Sequence, residues 1–101
     1  MKQKRMKADD RKADILTAAL RMAGETHYLA ITRDSVAKAA GLSGSAVLYH
    51  FKTMDRLREA LMAAAVEREC LPVLAQGILA KETNAMMAPA ALCDRAWSAA
   101  R

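Results

Sequence analysis

The chain has 101 residues, of which 53% are hydrophobic but only 4% aromatic, and it carries a formal net charge of +5. That length supports one domain with a modest core, small enough that dimerisation would add useful burial. An alanine- and methionine-rich composition without alternating β-branched runs excludes a β fold and favours closely packed helices.

The charge is unevenly placed. Residues 1–52 hold ten Lys or Arg against five Asp or Glu, whereas residues 53–101 hold six against six, so the excess lies in the first half. A basic half favours a polyanion, because each phosphate neutralised by Lys or Arg releases counterions. Much of that excess sits in MKQKRMKADDRK, a basic head. Residues 1–8 read as an arm able to lie along phosphates or enter a minor groove, the alternative being a solvated tail.

In chain order, a first helix is expected from Asp9 or Asp10 to about Ala23, with Ile15, Leu16, Ala19, Leu20 and Ala23 on its apolar face. Gly24 to Ala30 makes a connection in which Tyr28 and Leu29 anchor back onto the core. Thr32 is the expected N-cap of a second helix, Arg33 to Ala40, whose Val36, Ala37 and Ala40 form a small apolar stripe. Gly41 then supplies the left-handed turn, and Ser43 the next N-cap. A third helix from Gly44 to Phe51 turns Val47 and Phe51 inward, leaving Gly44, Ser45, Ala46, Tyr49 and His50 outward or at the rim. This is the layout of a DNA-binding helix-turn-helix.

Thr53 caps a fourth helix, with Asp55 in its first turn and Leu57, Leu61, Ala64 and Ala65 continuing a stripe towards Cys70. Pro72 must end, kink or restart it. Val73, Leu74, Ile78 and Leu79 suggest a short helix to about Lys81. Glu82 to Asn84 reads as a turn, and Met86 to Pro89 leads into a last helix with Ala91, Leu92, Ala96 and Trp97. So few helices cannot easily cover all these faces within one subunit, which points to a homodimer through the second half.

Other chemistry has little footing. There are no paired carboxylates in a plausible pocket, no Ser/His/Asp or Cys/His set and no phosphate-cradling glycine loop, so no catalytic residue and no cofactor is assigned. Cys70 and Cys93 lack zinc-ligand spacing. They read as buried free thiols in a reducing compartment, with an intersubunit disulfide as the alternative, and no metal site is expected. No apolar run reaches the roughly twenty residues of a membrane span and no signal-peptide core follows the basic start, so a cytoplasmic protein is expected.

The segment Ile15 to Leu61, with ILTAAL in its first helix, the Tyr28 anchor, Thr32 before SVAKAAGLS, and LYHF before a new helix containing Leu57, resembles the DNA-binding domain of TetR-type transcriptional repressors. The resemblance implies an all-α fold: a helix-turn-helix domain over residues 9–57, then a linking helix and C-terminal dimerisation helices over 58–101. It also implies a homodimer that blocks transcription from a palindromic operator in double-stranded DNA. Position by position, it implies phosphate contacts at Thr32, Tyr49 and His50 and base contacts from Gly44, Ser45 and Ala46, with Ser43 at the helix start and Arg33 and Lys52 as added contacts.

The sequence also departs from the family pattern. Leu48 stands where a tyrosine is usual, Met54 where a backbone-holding lysine is usual, and His27 where a glycine is usual, a position His can fill with a left-handed backbone. The residues beyond 61 are too few for the family's long ligand-binding domain, so no small-molecule effector is expected. Short regulators of this kind are similar to plasmid-borne ones, the ArdK-like regulators among them. A competing reading from the residues is a small helical interaction module, antitoxin-like or an adaptor, whose Met- and Ala-rich second half binds a protein partner and which has no specific DNA binding.

Overall fold

The structure is a computed structural model that describes residues 8–100, and every regular element among them is a helix. In order these are α1 (Ala8–Glu25), α2 (Arg33–Ala40), α3 (Gly44–Phe51), α4 (Met54–Glu67), α5 (Leu71–Leu79), α6 (Thr83–Met86) and α7 (Ala90–Ala100). The basic stretch before Ala8, read above as an arm, lies outside the described residues.

Local chemistry sets most boundaries in the first half. Thr32 has extended backbone and its hydroxyl accepts from the Ser35 amide, while the Ser35 hydroxyl accepts from the Thr32 amide. This reciprocal box satisfies two donors that a helix start would leave orphaned. Ser43 and Thr53 cap α3 and α4 through one bond each, their hydroxyls accepting from the amides of Ala46 and Arg56. Gly41 ends α2 at φ 73, a left-handed conformation in which its amide reaches back to carbonyls of the last turn.

One cluster of buried side chains runs through the molecule. Ile15, Ala19 and Ala23 of α1, Val36 and Ala37 of α2, Val47 and Phe51 of α3, and Leu57, Leu61 and Ala65 of α4 pack with Val73, Leu74 and Ala75 of α5, Ala85 of α6, and Leu92 and Ala96 of α7. Helix α1 lies against α2, α3, α4 and α5, and α5 lies against α4, α6 and α7. Pro72 restarts the chain: it stands at the beginning of α5, where its missing N–H costs nothing.

Several expectations need correction. Leu29 is 55% exposed and does not anchor the connection. Tyr28 takes the inward position, and the Leu29 amide instead donates to His27 Nδ1. His27 is not left-handed, since the positive-φ residues other than glycine among those described are Lys52, Glu69 and Lys81. Glu82 to Asn84 is not a plain turn. The Glu82 carboxylate accepts from the Ala85 amide at 2.9 Å and caps the one-turn helix α6. Helix α5 stops at Leu79 rather than Lys81, because Lys81 adopts φ 59. Ala91 faces outward while Leu92 and Ala96, four residues apart, turn inward. Cys70 and Cys93 are free but half-buried rather than buried, with the Cys93 thiol near the carbonyls of Ala85 and Ala88.

Candidate nucleic-acid interface

Helices α2 and α3 pack at the Gly41 turn, and α1 and α4 hold α3 from behind. Val47 and Phe51 fix the inner face of α3, so the helical period presents Ser45 and Tyr49 outward, with Gly44, Ala46 and His50 half-buried at the margins. Tyr49 is 73% exposed and has no part in the core. Its ring meets the His50 ring edge-on, with centroids 5.2 Å apart, and the Lys52 ammonium lies over it at 5.7 Å from the centroid. That arrangement is a cation–π contact on an open surface.

Lys52 closes α3 in an uncommon way. Its backbone is at φ 75 and ψ −54, its amide donates to the Leu48 carbonyl, and the next amide, that of Thr53, donates to the Phe51 carbonyl at 2.8 Å. A bond from residue i to i+2 around such a centre is the tight γ-turn that L-residues adopt only with strain. Thr53 then caps α4 at once, so the reversal between the two helices takes two residues.

At the other end of α3, Arg33 from the start of α2 leans over Gly44. Its Nε donates to the Asp34 carboxylate at 3.2 Å, and a Cβ on Gly44 would stand 2.7 Å from that Nε. Gly44 is therefore the reason the Arg33–Asp34 pair can lie against the opening turn of α3. Thr32 and Ser43 are exposed, with their hydroxyls engaged as caps. The structure thus brings Ser43, Gly44, Ser45, Ala46, Tyr49, His50 and Lys52 onto one short helix and its ends, with Thr32 and Arg33 on the neighbouring helix start.

Three features escaped the sequence. Lys12 of α1 places its ammonium 5.9 Å from the Phe51 ring centroid, adding a cation behind α3. Asp34 engages the arginine beside it, and Lys52 holds its γ-turn. The Lys12 contact depends on where α1 comes to lie and the Lys52 turn on a single dihedral, so neither has a linear signal, whereas Arg33 and Asp34 are neighbours in the sequence and their pairing could have been proposed from it. Met54, at the place of the usual lysine, packs against the core and offers no charge.

Residues 15–61 match the family model for bacterial regulatory proteins of the tetR family. The chain carries the helix-turn-helix domain of TetR-family regulators. No curated protein and no solved structure matches it. The matched segment opens at Ile15, the first core residue of α1, and closes at Leu61 within α4, so it contains the capped pair α2–α3 and the parts of α1 and α4 that lie nearest to it in the chain. That domain makes the chain a DNA-binding transcriptional regulator with a helix-turn-helix, and regulators of the TetR family are typically not enzymes. Among the described residues no helix is long and apolar enough to cross a membrane.

Proposed function

We propose that this regulator is a sequence-specific repressor that binds a palindromic operator as a homodimer, with α3 in the major groove. The observation that carries the reading is Tyr49: a tyrosine 73% exposed on the outer face of α3, under a lysine ammonium and outside the core. Its hydroxyl and the Lys52 ammonium stand together on the open face of the helix and are both suited to phosphate oxygens.

In this reading Thr32, Tyr49, His50 and Lys52 contact phosphates, with Arg33 added from the start of α2. Ser43, Gly44, Ser45 and Ala46 approach base edges. Ser45 can donate or accept there, Ala46 can touch a thymine methyl, and Gly44 lets the backbone come close. Few long side chains remain for bidentate readout, so DNA shape supplies part of the specificity. The dimer forms through the second half, where Leu79, Met86, Met87 and Trp97 are exposed. Two-fold symmetry then places half-sites about one helical turn apart or slightly more. Repression follows from occluding RNA polymerase in the cytoplasm, and no small-molecule effector enters the scheme.

The test is a binding selection from genomic and plasmid DNA with purified protein at two salt concentrations, with Tyr49→Ala as control. Recovery of a palindrome that the variant loses is the expected result. Absence of enrichment, or binding that is unselective and only salt-sensitive, overturns the reading in favour of a protein-interaction module.

A further inference from the structure

Two left-handed turns bracket the recognition helix, and the chain treats them differently. Before α3 the turn is made by Gly41 at φ 73, where glycine bears no side-chain penalty. After α3 it is made by Lys52 at φ 75 and ψ −54, the centre of a γ-turn closed by the Thr53 amide and the Phe51 carbonyl. Glycine would hold that turn without strain, and β-carbon crowding in this region costs L-residues stability. A side chain kept at such a position has a use, and here its ammonium lies 5.7 Å from the centroid of the exposed Tyr49 ring.

We propose that Lys52 is held in a strained γ-turn as a positioning device: the turn aims its ammonium onto the Tyr49 ring, so that the two residues meet the DNA backbone as one preorganised unit. The proposal rests on the reading of Tyr49 and Lys52 as phosphate contacts and adds what sets their geometry. A free lysine on an exposed helix end must give up rotamer freedom when it reaches a phosphate, and a lysine already seated on an aromatic face gives up less. The departures nearby give this pair its weight. Leu48 and Met54 stand where the family usually has a tyrosine and a lysine, so Tyr49 and Lys52 are the tyrosine and the lysine that remain at this helix end.

The experiment compares Lys52→Gly, Lys52→Met, Lys52→Arg, Tyr49→Phe and Tyr49→Leu in the full chain, alone and with each Tyr49 change paired with Lys52→Met. It measures melting temperature and affinity for the selected operator between 50 and 200 mM salt. Lys52→Gly is expected to melt about 4 °C above Lys52→Met, because only glycine relieves the turn. Both should lower the salt slope by about 0.9 per bound subunit, the signature of one lost phosphate contact, while Lys52→Arg keeps it. Tyr49→Leu and Lys52→Met should be coupled by about 3-fold or more in affinity, whereas Tyr49→Phe, which retains the ring, should leave the contribution of Lys52 in place.

Equal melting temperatures for the glycine and methionine variants overturn the strained turn. Effects of Tyr49→Leu and Lys52→Met that simply multiply overturn the preorganised pair. If the unaltered protein selects no operator, the functional reading fails instead, and the melting comparison still decides whether the turn is strained.

Discussion

Tyr28 shows how a single side chain ties the connection between α1 and α2 to the rest of the molecule. Its ring is buried and its amide donates to Gln76 Oε1 of α5 at 2.8 Å. Burial raises the phenol above its ordinary value of 10.0, the Glu82 carboxylate raises it further, and the Arg58 guanidinium opposes them. The folded state therefore prefers the neutral phenol. That preference contributes nothing to the pH dependence while both states are protonated, and stability declines once pH passes 10.0, where the unfolded phenol ionises and the folded one does not. Denaturation followed from pH 8 to 11 should show a loss above about pH 10 that is smaller in Tyr28→Phe. Identical curves would mean that another group governs the alkaline limb. Thr32 allows a second check at this scale, since its hydroxyl caps α2 and is also read as a phosphate contact. Thr32→Ala should cost about 1 kcal/mol in urea denaturation and Thr32→Ser much less, because serine restores the cap. Tyr28 and Thr32 were both legible in the sequence. Leu29 was not, because neighbours in an irregular turn cannot both point inward, and only the packing of Tyr28 decides which one does.

The bounds of α2 and α3 were legible to the residue, because both begin after hydroxyl caps and α2 ends on a glycine, signals carried within four residues of the boundary, whereas α1 runs from Ala8 to Glu25, past the expected end at Ala23. Helices α5 and α6 were less so. The cap of α6 is a glutamate acting through its carboxylate, and α5 stops on a left-handed lysine, neither of which has a strong local signature. Two glycines separate these kinds of constraint. A Cβ on Gly44 would meet exposed side-chain atoms of Arg33 and Asp34, which can swing away. A Cβ on Gly77 would stand 2.6 Å from Met62 Sδ and 2.8 Å from the Ala85 Cβ, both residues having no exposed surface. Gly44→Ala should therefore leave stability within about 0.5 kcal/mol, and its effect should appear in operator binding. Gly77→Ala should cost about 1–3 kcal/mol by overpacking α5 against α4 and α6, measured by urea denaturation. Equal costs at the two positions would contradict the packing described.

For the whole molecule, the division into a DNA-binding part and a C-terminal part does not divide the core, which is one cluster from Ile15 to Ala96. Polar links follow the same path. Gln76 of α5 donates to the Ala23 carbonyl at the end of α1 and accepts from the Tyr28 amide, so one side chain satisfies two backbone groups of the first half. Arg58 of α4 donates to the Ile31 carbonyl, next to the cap of α2. The connection that leads from α1 into α2 is thus tied to α4 and α5, which follow it in the chain, and the link to Gln76 lies outside residues 15–61. Trp97, the only tryptophan, lies partly exposed on α7, beside the buried Ala96, and so reports on the last helix. Its fluorescence and the helical circular dichroism should lose their native signals in one coincident transition in urea. Gln76→Ala should shift both probes together by about 2–3 kcal/mol, because the Ala23 carbonyl and the Tyr28 amide each lose a partner where water has limited access. A shift in the helical signal that leaves the Trp97 transition in place would show two independently folding parts. The second half would then be an appendage of the helix-turn-helix rather than a part of the same core.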